Sequence, residues 1–280
     1  HLYQIPEVQE IADYVGDSYY LSQVARDAKE DLIIFCGVKF MAESAKVLSP
    51  DKTVILPAPN AGCPMADMAE VEDVEEMIKK YPDAFKVCYI NSSYEVKALC
   101  DASVTSSSAL NIMNNIPNKQ ILFLPDQNLG GYIAEFFPEK EFILWRGFCP
   151  THHRITAEDV LNAKQEHPNV KVLAHPECSK EVRELSDYLG STSGIIDYAT
   201  KCEDNEFIIA TEEGVLHQLQ KKNPNKKFYF PEMMVCPNMK KTTLQDIYDA
   251  LDGKREEVVL DEEIRQKALT SLENMHKLGN

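Results

Sequence analysis

The 280-residue chain has no Gly/Ser-rich linker, no low-complexity tract and no apolar run approaching the ~20 residues of a membrane span. It therefore reads as several small domains packed together, with no membrane partner and the cytoplasm as the expected compartment, since no basic stretch followed by an apolar one opens it. Positive charge is also scarce: 29 Lys and Arg face 45 Asp and Glu, a net charge of −16. Apart from small groups such as Lys221, Lys222, Lys226 and Lys227, the basic residues are dispersed, so nucleic acid is not an expected partner. Any small anionic substrate must instead be held by local donors: hydroxyls, imidazoles and helix N-termini. Neither a G-x-G-x-x-G stretch nor a P-loop pattern is present, which removes the common nucleotide-binding readings. Eight cysteines are too dilute for a disulfide scaffold, and in a reducing compartment such cysteines bind metal or remain buried thiols.

What the chain does contain is a threefold repeat. Glu7-Val8 recurs as Glu95-Val96 and Glu181-Val182, Asp13 as Asp101 and Asp187, and Ser18 as Ser106 and Thr192, with steps of 88 and 86 residues. Cys63-Pro64, Cys149-Pro150 and Cys236-Pro237 follow at steps of 86 and 87, and none of the other five cysteines precedes a proline. The units span 1–80, 81–166 and 167–253, with 254–280 as an extension that carries one amphipathic helix over 261–278.

Short apolar strands alternate with amphipathic helices in each unit, the pattern of a parallel sheet flanked by helices. Strands are predicted at 86–90, 120–124 and 141–145 in the second unit, at 170–174, 206–210 and 227–230 in the third, and at 32–35 and 53–56 in the first. By the repeat, one further strand of the first unit would precede His1. A helix follows each Cys-Pro, at 71–80, 157–166 and 243–251. Proline holds each turn open, so every such cysteine sits on a loop at the carboxyl end of a strand, where open α/β sheets bind ligands. The predicted fold is α/β: three pseudo-threefold-related αβα sandwiches around a common centre on which three thiolates converge.

Closed zinc sites and closed cubane clusters take four ligands, so three symmetric cysteines leave one coordination position open. A [4Fe–4S] cluster so held has one iron free to act as a Lewis acid. Three buried thiols copied by duplication are the plain alternative. A three-cysteine zinc site completed by His152 or His153 is the sharper rival.

Six stretches together carry a family resemblance: YQIPEVQEIADYVGDS from Tyr3, GVKFMAESAKVLSPDKTVILP from Gly37, CPMA from Cys63, HPEC from His175, GST from Gly190 and CPNMKK from Cys236. In their order and spacing they resemble quinolinate synthase across essentially the whole chain. The resemblance implies three similar αβα domains around one [4Fe–4S] cluster on Cys63, Cys149 and Cys236. It also implies condensation of iminoaspartate, supplied by an aspartate-oxidising enzyme, with dihydroxyacetone phosphate, giving quinolinate with loss of phosphate and two waters.

The repeat-equivalent strand-end residues His1, Tyr89 and His175 are expected to line the central cavity, and the resemblance adds Asn91 as a substrate contact and Tyr3 on a loop able to close over the site. Ser18, Ser106 and Thr192 can cradle carboxylate or phosphate groups, with Ser191 as a neighbour; a plain N-cap is the bland role for each. Glu177 is the expected general acid/base, because ring formation consists of proton transfers, although a helix-starting acid is the simpler account. Tyr3, Tyr89 and His175 are expected to share in catalysis. His152, three residues after Cys149, is a candidate for a phosphate or carboxylate, with His153 at the surface and Asp17 serving loop geometry. Cys36, Cys88, Cys100, Cys178 and Cys202 have no repeat partners and are expected to be buried or incidental thiols. Another hydro-lyase with an open-iron cluster, and a zinc-stapled or electron-transfer protein, are the competing functions.

Overall fold

The computed structural model describes residues 1–231 and 234–279. Along the chain come α1 (Pro6–Ile11), α2 (Ser18–Asp27), β1 (Leu32–Ile34), α3 (Lys39–Leu48), β2 (Thr53–Ile55) and α4 (Val71–Lys80). Next follow β3 (Phe85–Tyr89), α5 (Tyr94–Ala98), β4 (Ala102–Val104), α6 (Ala109–Asn114), β5 (Gln120–Leu124), α7 (Gln127–Ala134), β6 (Glu141–Leu144), α8 (Pro150–His153) and α9 (Ala157–Glu166). The same succession returns as β7 (Lys171–Ala174), α10 (Lys180–Glu184), β8 (Tyr188–Leu189), α11 (Thr192–Lys201), β9 (Glu206–Ala210), α12 (Val215–Lys222), β10 (Lys227–Tyr229) and α13 (Leu244–Leu251), before α14 (Glu262–Leu278).

The strands form three parallel sheets, in the orders β1-β2, β4-β3-β5-β6 and β8-β7-β9-β10. The two larger sheets share one topology, with the first strand between the second and third. Their central strands are buried on both faces, so Ile121, Leu122, Phe123 and Leu124 of β5 and Phe207, Ile208 and Ile209 of β9 are all inaccessible. The predicted strands appear within a residue of their expected limits, and α4 and α9 match theirs. Two strands were not expected: Ala102–Val104 and Tyr188–Leu189 are three and two residues long. Segments that short leave no periodic trace and are defined by pairing with β3 and β7. In the first sheet β1 and β2 lie 88 residues before β5 and β6, their counterparts.

Repeated capping punctuates the helices. Thr156 and Thr243 open α9 and α13 with reciprocal capping boxes to Asp159 and Asp246. Asp17 and Ser191, repeat equivalents, cap α2 and α11 by accepting the Tyr20 and Gly194 amides. Helix α14, capped by Asp261, buries Ala268, Leu272 and Met275 against α5 and β4. Its Ser271 hydroxyl lies 2.8 Å from Ser103 of β4, and its Arg265 donates to the Val47 carbonyl of α3 at 3.1 Å. The β4 edge of the second sheet is thereby covered and tied to α3 of the first.

Candidate active site

Each Cys-Pro places its sulfur at the start of a turn. Proline has no amide hydrogen to satisfy and its fixed φ suits a first helical position, so Pro150 opens α8 directly behind Cys149. Cys63 precedes a single 3-10 turn, Ala66–Met68, and Cys236 precedes a turn through residues 237–240. The amides two or three residues ahead point back at each sulfur: Met65 and Ala66 at Cys63, His152 at Cys149, and Asn238 and Met239 at Cys236. All three cysteines line one cavity of about 260 Å³. Burial pushes the Cys63 thiol up to about 12, and burial likewise raises Cys149 and Cys236. Three desolvated thiols, each provided with amide donors, form a pocket whose thiolates want a strongly cationic occupant, and this donor set fits an iron–sulfur cluster held by three cysteines. Among the described residues one other group could hold a metal ion: Cys149, His152 and Glu177 present ligand atoms within 4.8 Å of one another. That arrangement draws on one of the three repeated cysteines.

The strand-end residues meet in the same cavity. His1, Tyr89 and His175 line it, as do Tyr3, Asn91 and Glu177, which share the position two residues further on in each repeat. Ser18, Ser106 and Thr192 also face it. Ser191 differs from its neighbour: its hydroxyl caps α11 and it is not among the lining residues. The caps formed by Asp17 and Ser191 thus set the position one residue later, where Ser18 and Thr192 point inward.

Glu177 is the hub. Tyr89 donates to its Oε1 at 2.6 Å, and His152 Nδ1 lies 2.7 Å from its Oε2. The Nδ1 of His175 is 3.9 Å from the same oxygen. Burial pulls the carboxyl up, but the His152 and His175 imidazoles and the hydrogen bonds from His152 and Tyr89 outweigh it and hold the acid well below the usual carboxylate range. The helix-start account of Glu177 fails on geometry, since Ser179 is the N-cap residue of α10 and the Glu177 side chain turns into the cavity instead. His175 Nε2 reaches Ser106 Oγ at 3.1 Å. Burial is also what lowers His175 to about 4. Asn91 Oδ1 is buried with no hydrogen-bond partner among the described residues, an acceptor left facing the cavity. His152 is buried, while His153 is exposed and packs on Phe148.

Two contributors escaped the sequence reading. Thr211 directly follows β9, and its hydroxyl sits 2.9 Å from His152 Nε2 and 2.9 Å from the Tyr3 hydroxyl, which also reaches Thr192 at 2.8 Å. Glu212, the next residue, accepts the Cys236 amide at 3.1 Å and the Gly214 amide at 2.7 Å, and pairs with Lys240 at 2.9 Å. Glu212 stands 86 residues after Asp126, which caps α7 through the Asn128 and Leu129 amides. The repeat therefore carried a signal for both acids, just past β5 and β9 in the second and third units, where the first unit has Val38.

A sequence profile described as Quinolinate synthetase A protein matches residues 1–277. The chain belongs to the quinolinate synthase family. The quinolinate synthase of Clostridioides difficile (strain 630) is 60% identical over 280 residues, spanning 100% of this chain and 92% of that protein. Those of Clostridium perfringens (strain SM101 / Type A) and Caldicellulosiruptor bescii are 59% and 56% identical over the same 280 residues, covering 93% and 92% of their lengths. Among the described residues no helix is long and apolar enough to cross a membrane.

The ionisation of His175 has a measurable consequence in the cluster-free protein. Its folded pKa of about 4 lies below the ordinary 6.5, so between these values the unfolded chain binds the extra proton. Its contribution to stability is complete above pH 6.5 and is lost as pH falls toward 4. Between pH 7.5 and 5 the loss amounts to roughly 2 kcal/mol. Urea unfolding at the two pH values should show this loss, and His175→Asn should remove it; equal pH dependence in both proteins would contradict a buried neutral imidazole.

Proposed function

We propose that the chain condenses iminoaspartate with dihydroxyacetone phosphate to quinolinate, with loss of phosphate and two waters, in the cytoplasm, and that Cys63, Cys149 and Cys236 hold one [4Fe–4S] cluster with an open iron. The observation that carries this reading is the meeting of the three repeat-related cysteines with Glu177, Tyr89, His152 and His175 in one cavity. When bound, the cluster supplies Lewis-acid polarisation of a substrate oxygen. The remaining work belongs to the protein. Glu177, buried and ionised, is the base that accepts a proton from the condensing carbon skeleton and later returns it to a departing hydroxide. Tyr89 donates to one of its oxygens and His152 holds the other, so the carboxylate keeps a fixed orientation.

Substrate carboxylates and phosphate fit the hydroxyl side of the cavity, where Ser18, Ser106 and Thr192 lie, with His1, Asn91 and His175 completing the donors and acceptors. Ser191 serves the substrate only indirectly, by capping the helix that Thr192 begins. Tyr3 covers the cavity, its phenol held between Thr192 and Thr211, and helps exclude water from the reacting atoms. The three repeats, 1–80, 81–166 and 167–253, each contribute one cysteine and one strand end, with 254–280 as the covering extension. Such a division explains why the site forms at the junction of three sheets rather than inside one.

The test is anaerobic purification, with iron and sulfide determined, followed by assay with enzymatically generated iminoaspartate and dihydroxyacetone phosphate. About four irons and four sulfides per chain, with stoichiometric quinolinate and phosphate, are expected. Stoichiometric zinc, or dehydration of a simple hydroxy acid without condensation, would overturn the proposal.

A further inference from the structure

Gln9, Lys97 and Arg183 are spaced 88 and 86 residues apart, the step of the repeat. They stand on α1, α5 and α10, the short helices that follow the strand-end loops bearing Tyr3, Asn91 and Glu177. All three side chains are buried, although two are cationic, and each crosses to a helix of another sheet's set. Lys97 lies 5.5 Å over the Phe40 ring of α3 beside Glu43, and Arg183 pairs with Glu135 at 3.1 Å and lies over Tyr132 of α7. Gln9 receives the Gln218 amide of α12 at 3.0 Å and approaches the Gly214 carbonyl at 3.1 Å.

The same position also turns back on its own loop. Lys97 donates to the Ser92 carbonyl, and Gln9 Nε2 lies 2.9 Å from the carbonyl of Gln4, the repeat equivalent of Ser92. Gln9 Nε2 further reaches the Leu2 carbonyl at 3.0 Å, while Lys240 takes the intervening Tyr3 carbonyl at 2.8 Å. Three consecutive carbonyls around Tyr3 are thus satisfied by side chains of other elements. A loop held this way takes its shape from those donors, because buried carbonyls without them would have to move to find others.

We propose that Gln9 is a positioning residue for Tyr3: its carboxamide fixes residues 2–4 against α12, and so sets the Tyr3 phenol between Thr192 and Thr211. This rests on the reading of Tyr3 as part of the active site. Gln9→Leu keeps the size and removes the donors; Gln9→Lys keeps a donor and copies the second repeat. In the cluster-free protein, hydrogen exchange followed by mass spectrometry should show Gln9→Leu exposing the peptide of residues 2–5 while β5 and β9 stay protected, with Gln9→Lys close to the parent. In the loaded enzyme Gln9→Leu should lower kcat by about 10- to 100-fold, the scale of an ångström-sized misplacement, leave KM and iron content nearly unchanged, and be partly rescued in Gln9→Lys.

In a Tyr3→Phe background the same change should add little, since both act through one phenol. Unchanged exchange in residues 2–5, or losses that multiply in the double variant, would overturn the assignment. Should Gln9→Leu fail to fold, Gln9→Glu removes the same donors and is read in the same way. The exchange result stands even if the reaction proves to be a different one, so failure of the positioning role is distinguishable from failure of the functional reading.

Discussion

Glu177→Gln should lower the rate of quinolinate formation by about 10²- to 10⁴-fold, the usual contribution of a positioned acid/base, while iron and sulfide per chain remain at the parental level. Glutamine is isosteric and keeps an oxygen for the Tyr89 phenol, so cavity shape and the 2.6 Å contact can survive the change. What disappears is a group that can take a proton. The parent carboxylate is held ionised by His152 and by the hydrogen bonds from His152 and Tyr89, so at neutral pH it is already in its proton-accepting form. A large drop in kcat with modest change in KM is the expected division, because the loss is of proton transfer rather than of ground-state binding. A rate within a few-fold of the parent would remove Glu177 from the chemistry. Loss of the cluster in this variant would instead mean that the carboxylate supports the metal pocket.

Much of this arrangement was legible in the chain, and for a definite reason. The period of 86 to 88 residues carried the cysteines, the strand ends and the hydroxyls together, so a residue such as Tyr89 could be assigned to the cavity through its equivalents His1 and His175. Central strands such as Gln120–Leu124 were readable because full burial demands an unbroken apolar run. The edge strands β4 and β8 were not, although the opposite edges β6 and β10 were, since β4 and β8 are too short to show a period and exist only as partners of β3 and β7. Thr211 was missed because it has no equivalent of its own type at the matching place, where Pro125 follows β5. The split between Ser191 and Thr192 was equally out of reach: which of two adjacent hydroxyls caps a helix and which faces the cavity depends on backbone direction at the helix start.

Cys149→Ala should abolish both the visible absorption of the purified protein near ~400 nm and its activity, and Cys63→Ala and Cys236→Ala should do the same. Equivalence among the three is the substance of the expectation, because a cubane held at three corners does not persist on two. Cys88→Ala provides the control, since that thiol is buried against Ser103 and Ser271, away from the cavity-lining set. The rival site separates cleanly in this series. An ion on Cys149, His152 and Glu177 would survive replacement of Cys63 and Cys236, and would be lost with Cys149 or His152. Iron lost in all three cysteine variants but retained in His152→Ala supports the threefold pocket. Metal retained in Cys63→Ala and Cys236→Ala would assign the cavity to a mononuclear ion and leave the other two thiols as duplicated packing.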